Sequence, residues 1–109
     1  MVMRLEPSRK YVIAAEYAGK PLETMLLGIE EDGFSIREAT GETRMLLVAG
    51  RAFRTGKTPE QPFSGPERFA KEQFGAEKVL TRWGMQDYCT FDQLPMIGRW
   101  SGQKNILFA

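Results

Sequence analysis

Several groups of residues in this chain are of types that do chemistry, and each lacks part of what its chemistry needs. Asp87 and Asp92 form a carboxylate pair of the kind that divides acid and base roles between two groups. Nothing nearby in sequence would split their pKa values, and aspartates in such surroundings more often serve turns and caps. Cys89 is the sole cysteine; without an imidazole to activate it, it reads as a small packing residue rather than a nucleophile. Gly50 to Thr58 (GRAFRTGKT) ends in Gly-Lys-Thr after an apolar run, as a phosphate-binding loop would. That loop needs its first glycine at position 51, where Arg51 stands, and Pro59 and Pro62 interrupt the helix that should follow. Trp83, Trp100, Tyr11, Tyr17 and Tyr88 are most simply core or interface aromatics.

Many of these residues fall in one stretch, Arg82 to Trp100 (RWGMQDYCTFDQLPMIGRW), which holds both tryptophans and the cysteine. It shows neither helical nor strand periodicity strongly and reads as a segment shaped to lie against something. The chain has no histidine. That removes the commonest general base, the commonest metal ligand and every triad built on imidazole. One cysteine supplies neither an internal disulfide nor a structural zinc site. Fifteen basic residues against fourteen acidic ones leave a net charge of +1. They are interspersed, so no electrostatic footprint for nucleic acid or an anionic membrane surface results.

The elements that must position these residues are those of one domain, since 109 residues can bury one core and not two. No apolar run approaches a membrane span, and Met1 to Lys10 has no signal-peptide core, so a cytoplasmic location is expected. Leu5 to Arg9 reads as an entry loop around Pro7. Lys10 to Tyr17 reads as a strand covered on both faces, and Thr24 to Glu30 as a second. Asp32-Gly33 signals a hairpin into Phe34 to Glu38, where Phe34 and Ile36 point inward. Arg44 to Ala49 is a buried strand, and short turns join these four into an antiparallel meander.

Gly50 to Pro66 is a long loop. Ser64 with Glu67 predicts a capping box for a helix with Pro66 in its first turn, and Gly75 ends it. Phe69, Ala70 and Phe74 share its inner face. Glu67–Lys71 and Arg68–Glu72 are spaced for i,i+4 ion pairs. Lys78 to Trp83 returns as a strand with Val79, Thr81 and Trp83 on one face. The predicted architecture is α+β: an antiparallel-rich sheet of about five strands with one main helix packed on it. Asn105 to Ala109 is apolar and strand-like, and a chain that stops within it reads as truncated.

Arg82-Trp83, then Gln86-Asp87-Tyr88, then Asp92-x-Leu94-Pro95-x-Ile97-Gly98-Arg99 resembles the C-terminal region of FAD-dependent oxidoreductases of the D-amino-acid-oxidase (DAO) superfamily. Leu5 to Ala14, Leu46 to Gly50 and Thr55-Gly56-Lys57 resemble the branch of that superfamily often fused to a Rieske iron–sulfur domain. The resemblance implies a substrate-binding subdomain over residues 1–81 and a flavin-proximal return segment over 82–109. It also implies flavin contact through Pro95, Met96, Ile97 and Gly98, and substrate contact through Trp83 and Asp87. A flavoprotein oxidoreductase parent would carry FAD on a domain of the same polypeptide that lies outside this chain, beside a Rieske domain. By itself the chain is then expected to hold no FAD and to turn nothing over. Gln93 and Met96 depart from the glycine and tyrosine usual in the family, and Phe53 from a common histidine. Asp87 is the nearest counterpart to an arginine that clamps substrate carboxylates, and a carboxylate cannot play that part.

A reading from another class treats the chain as a stand-alone interaction module whose Trp83–Trp100 surface docks a protein partner. Apolar ends such as Asn105 to Ala109 could also pair edge to edge in a homodimer.

Overall fold

The computed structural model describes residues 5–30, 33–90, 94–95 and 97–108. In chain order the elements are β1 (Leu5–Glu16), β2 (Leu26–Leu27), β3 (Ser35–Ala39), β4 (Met45–Ala49), β5 (Phe53–Arg54), α1 (Ser64–Phe74), β6 (Val79–Thr90), β7 (Gly98–Arg99) and β8 (Leu107–Phe108). The predicted α+β class is the one observed: a mostly antiparallel sheet with a single helix on it among the described residues. The meander is narrower than expected. β2, β3 and β4 follow one another across the sheet, and β1 lies beyond β4 rather than beside β2.

β1 is the spine. Val12 to Glu16 pair with β4, whereas Ser8 and Arg9 on the same edge pair with β5. The other edge of β1 is taken along almost its whole length by β6, from Leu5↔Thr90 to Ala15↔Val79. Both strands are 12 residues long, or about 40 Å at the usual strand rise. The expected entry loop is therefore strand: Pro7 needs no N–H where a short partner leaves its edge largely unpaired. A register shift near Ala14 and Ala15 sets Val79 opposite Ala15 and Thr81 opposite Ala14. Val79 consequently lies on the face away from Thr81 and Trp83, contrary to the simple alternation.

The core lies between this sheet and α1. Ile13, Ala15, Tyr17, Ile36, Leu46 and Val48 meet Ala70 and Ala76, with Ile13, Leu46 and Val48 the largest fully buried side chains. Phe34 stacks on Phe69 at 4.3 Å between ring centroids, and Phe74 meets Tyr17 edge-on. Apolar contact of this extent is the main stabilising term for so small a chain.

α1 starts differently from the expected capping box. Phe63 occupies the N-cap without a side-chain cap bond, and the Ser64 hydroxyl instead donates to the Gln61 carbonyl. Glu67 pairs with Arg82 of β6 and Lys71 with Glu77, rather than with their helical i,i+4 neighbours. The C-terminus is as expected: Gly75 at φ 66° closes a Schellman-type end, its N–H bonding Lys71 O while the Ala76 N–H bonds Ala70 O.

A second anchor ties the loop after β1 to the β3–β4 turn. Glu38 accepts from Arg44 Nε and from the Leu22 N–H, each at 2.7 Å. Arg44 also donates to Gly19 O and lies over the Tyr17 ring. The Arg44 bond, then the Leu22 N–H, hold the Glu38 carboxyl below the ordinary glutamate range.

Beyond the helix the molecule thins. Its extents are 52 × 31 × 23 Å and its radius of gyration 17.1 Å, against about 13 Å for a compact chain of this length. The β1–β6 ribbon outruns α1, and among the described residues β7 and β8 pair only with each other.

Candidate functional site

The Arg82 to Trp100 stretch is strand for its first half, since β6 continues to Thr90. Weak periodicity there has a physical reason. Among the described residues no strand pairs with the outer edge of β6, and none of its side chains is fully buried, so no alternation is imposed. Trp83 is 38% exposed, and Leu80, Met85 and Tyr88 are exposed with it.

Trp83 stands opposite Val12 and Asp87 opposite Ser8, both on the sheet face away from α1. Four positions apart on one strand, their side chains are separated by about 13 Å, too far to grip one small molecule together. Cys89 is a free, exposed thiol, not a packing residue. Pro95 is exposed, Ile97 is 76% exposed, and Gly98 is half-buried in β7 opposite Phe108. Met96, Asp92 and Gln93 lie outside the described residues, as do Glu31 and Asp32 of the expected hairpin. Trp100 sits beyond β7 and is 60% exposed.

A concavity and a polar side-chain group lie elsewhere on the sheet. The concavity, of about 490 Å³, lies at the β2 end of the sheet and is lined by Leu26, Leu27, Phe34, Ile36 and Phe69, with Glu30 the charged residue among its described lining. It offers an apolar floor and no convergent donors, so it has no evident chemistry.

The polar group lies on the α1 face of the β1–β6 ribbon, beyond the packing of Tyr11 on Phe63. Tyr11 bonds Thr58 Oγ1 at 2.8 Å and packs edge-on against Phe63 and obliquely against Phe53. Next along β1 comes Arg9, flanked in register by Phe53 on one side and Gln86 on the other. The Gln86 amide reaches across to Thr55 Oγ1 at 2.9 Å, so the bond passes from β6 to the end of β5 over the strand that carries Arg9. Gly84, opposite Tyr11, makes room for both neighbours: a Cβ there would meet Arg9 Nη2 at 3.1 Å and the Tyr11 ring at 3.2 Å. Reasoning from sequence missed this group. The available signal was Arg9-x-Tyr11-x-Ile13, a charged residue at the inward beat of an apolar alternation.

Comparison with known proteins supplies one relative. The chain is 30% identical over 111 aligned positions, 97% of its own length, to a protein of Bacillus subtilis (strain 168) named "Putative Rieske 2Fe-2S iron-sulfur protein YhfW". It spans 22% of that relative's length. No family model matches the chain, and no solved structure matches it.

This finding corrects the flavin expectation. The relative is named for an iron–sulfur cluster and not for a flavin, so FAD, the flavoprotein reading and the DAO-superfamily assignment are withdrawn, and with them the flavin role given to Pro95, Met96, Ile97 and Gly98. The residues present do not fit the cluster either. A Rieske centre is held by two histidines and two cysteines, whereas this chain has no histidine and Cys89 alone. Among the described residues no group of three or more His, Cys, Asp and Glu side chains is arranged to hold a metal ion. No described helix is long and apolar enough to cross a membrane.

Proposed function

We propose that this chain is the ligand-binding sheet of a redox protein of the YhfW kind, with the iron–sulfur cluster carried on residues outside it. One observation carries the reading: similarity to a Rieske-named protein runs through 97% of the chain, yet the chain lacks the donor set for that cluster. What it contributes is a surface, namely a long two-stranded ribbon with an aromatic and polar group on one face and Trp83 on the other.

A chimera tests this. Replacing the matching segment of YhfW with this chain keeps every cluster ligand if all of them lie elsewhere. The expected result is an unchanged electron paramagnetic resonance signal of the reduced cluster per mole of monodisperse protein. Loss of that signal in a chimera that remains folded by circular dichroism would sink the proposal.

A second reading, a stand-alone docking module, is favoured by the exposure of both tryptophans. Oxidative footprinting separates the two. In the ligand-binding reading Trp83 and Trp100 react less in the chimera than in the 109-residue chain, because the rest of the protein covers them. Equal reactivity in both favours the module.

A further inference from the structure

Arg9 poses a problem that the fold alone does not solve. Its Nε is buried and has no hydrogen-bond partner, while the side chain as a whole is only half-buried. Among the described residues no carboxylate forms an ion pair with it. A buried donor left unmade costs about 1–3 kcal/mol, and more on a charged group. If Arg9 were only a packing residue, an apolar side chain would fill the same position between Tyr11 and Phe53 without that cost.

The surroundings are built for a ligand of one kind. Tyr11 and Thr58 bring hydroxyls, Gln86 and Thr55 bring an amide and a third hydroxyl, and the Phe53 ring supplies an apolar wall. The guanidinium fork matches a planar pair of oxygens through two parallel N–H donors. Arg9 is the cation on the strand floor, while Arg51 lies over the Phe53 ring; a planar fork without a run of backbone N–H donors suits a small carboxylate better than a phosphoryl group. The Gln86–Thr55 bond then acts as a strap.

We propose that Arg9, beneath the Gln86–Thr55 strap, is the seat of a binding site for a small carboxylate. The site stands on β1, β6 and β5 with the loop that follows it, and its occupancy does not depend on where the iron–sulfur cluster resides.

The test is a titration of the ¹⁵N-labelled chain with propionate, followed at the Arg9 Nε–H resonance. Propionamide serves as the uncharged isostere and inorganic phosphate as the competing anion. The expected result is a saturable shift with propionate and none with propionamide. Arg9→Lys keeps the charge and removes the Nε–H, and it should weaken binding roughly tenfold or more. No saturable shift, equal binding by a folded Arg9→Lys variant, or tighter binding of phosphate than of propionate would each overturn the assignment. Gly84→Ala serves as a second variant, intruding on Arg9 Nη2 from β6 without altering any donor, and should also weaken propionate binding. Undiminished affinity there would count against the placement under the strap.

Discussion

The two halves of β1 share one backbone and the same long partner, and they live in different surroundings. From Val12 to Ala15 the strand lies between β4 and β6, and every side chain is buried. Its helix-side residues Ile13 and Ala15 meet α1 through Ala70. From Leu5 to Arg9 it lies between β6 and the two residues of β5, no side chain is fully buried, and Arg9 carries an unmade donor. The contrast separates positions that hold the chain together from positions kept available. Tight packing removes the freedom a binding group needs, and polar groups left half-covered lower stability where they stand. A small domain can sustain the second half only because the first supplies the stability.

Truncating the closed half should therefore have the largest effect. Leu46 is fully buried opposite Ala15 and belongs to the core cluster. Leu46→Ala should lower unfolding free energy by about 2–5 kcal/mol, a large share of the stability of a chain this size. Urea denaturation followed by far-ultraviolet circular dichroism measures it. A loss below about 1 kcal/mol would mean the closed half is looser than its burial indicates.

The next effect concerns the sheet margin that continues from the closed half. Gly28 and Gly33 approach so closely that a Cβ on Gly33 would sit 2.7 Å from Gly28 C and O, and their segments are joined by the Gly28 N–H to Phe34 O bond. Because the obstruction is backbone, no side-chain rotation relieves it. Gly33→Ala should destabilise by about 1–3 kcal/mol and release the Phe34–Phe69 stack, visible as increased amide exchange at Ser35 and Ile36.

The anchor at Glu38 is smaller and depends on pH. Its folded-state carboxyl titrates below the ordinary range because of Arg44 first and the Leu22 N–H second. Such a group contributes stability that is fully present above the unfolded value, about 4.3, and lost as pH falls through the folded value. The wild-type melting temperature should therefore fall as acid is added below about pH 5. In Glu38→Gln that slope should be shallower, with a lower plateau at neutral pH. Parallel melting curves for the two proteins would show that the pair stabilises nothing.

How much of this was legible in the sequence follows the same division. Where burial imposes a period, residues announce their state: Phe34 and Ile36, the buried strand within Arg44 to Ala49, and the Phe69–Phe74 face of α1 are readable. Gly75 announced the helix end through its need for positive φ. Where burial imposes nothing, the sequence is silent. β6 is 12 residues long, yet its second half carried no strand signal, because an exposed edge strand selects no inward face. Pro7 masked the start of β1, since proline on an edge with little pairing reads like proline in a loop. The Ser64–Glu67 capping box failed because tertiary contacts outbid a local one: Glu67 is held by Arg82 from β6. The site fared worse than the fold. Trp83, Asp87 and Pro95 to Gly98 stand out through a family resemblance, whereas Arg9 and Gln86 become neighbours of Thr55 and Phe53 only once β1, β5 and β6 are set side by side.

The smallest expected effect on stability probes the open half. Met85 is exposed on β6 directly opposite Lys10, on the face away from α1. Met85→Glu removes little buried area and places an acid across from a base, so stability should stay within about 0.5 kcal/mol of wild type. Association is the more telling readout. Among the described residues the outer edge of β6 has no strand partner and is flanked by Leu80, Trp83 and Tyr88, the arrangement that invites strand-to-strand pairing between copies. A charge midway along that edge is a common device against such pairing. Sedimentation equilibrium should accordingly show concentration-dependent dimerisation of the wild-type chain that is reduced in Met85→Glu while the urea midpoint hardly moves. If the wild type stays monomeric at the highest concentrations reached, the exposed edge is guarded by its own twist and by Arg82 and Asp87. The open half would then differ from the closed one in its burial and not in its tendency to pair.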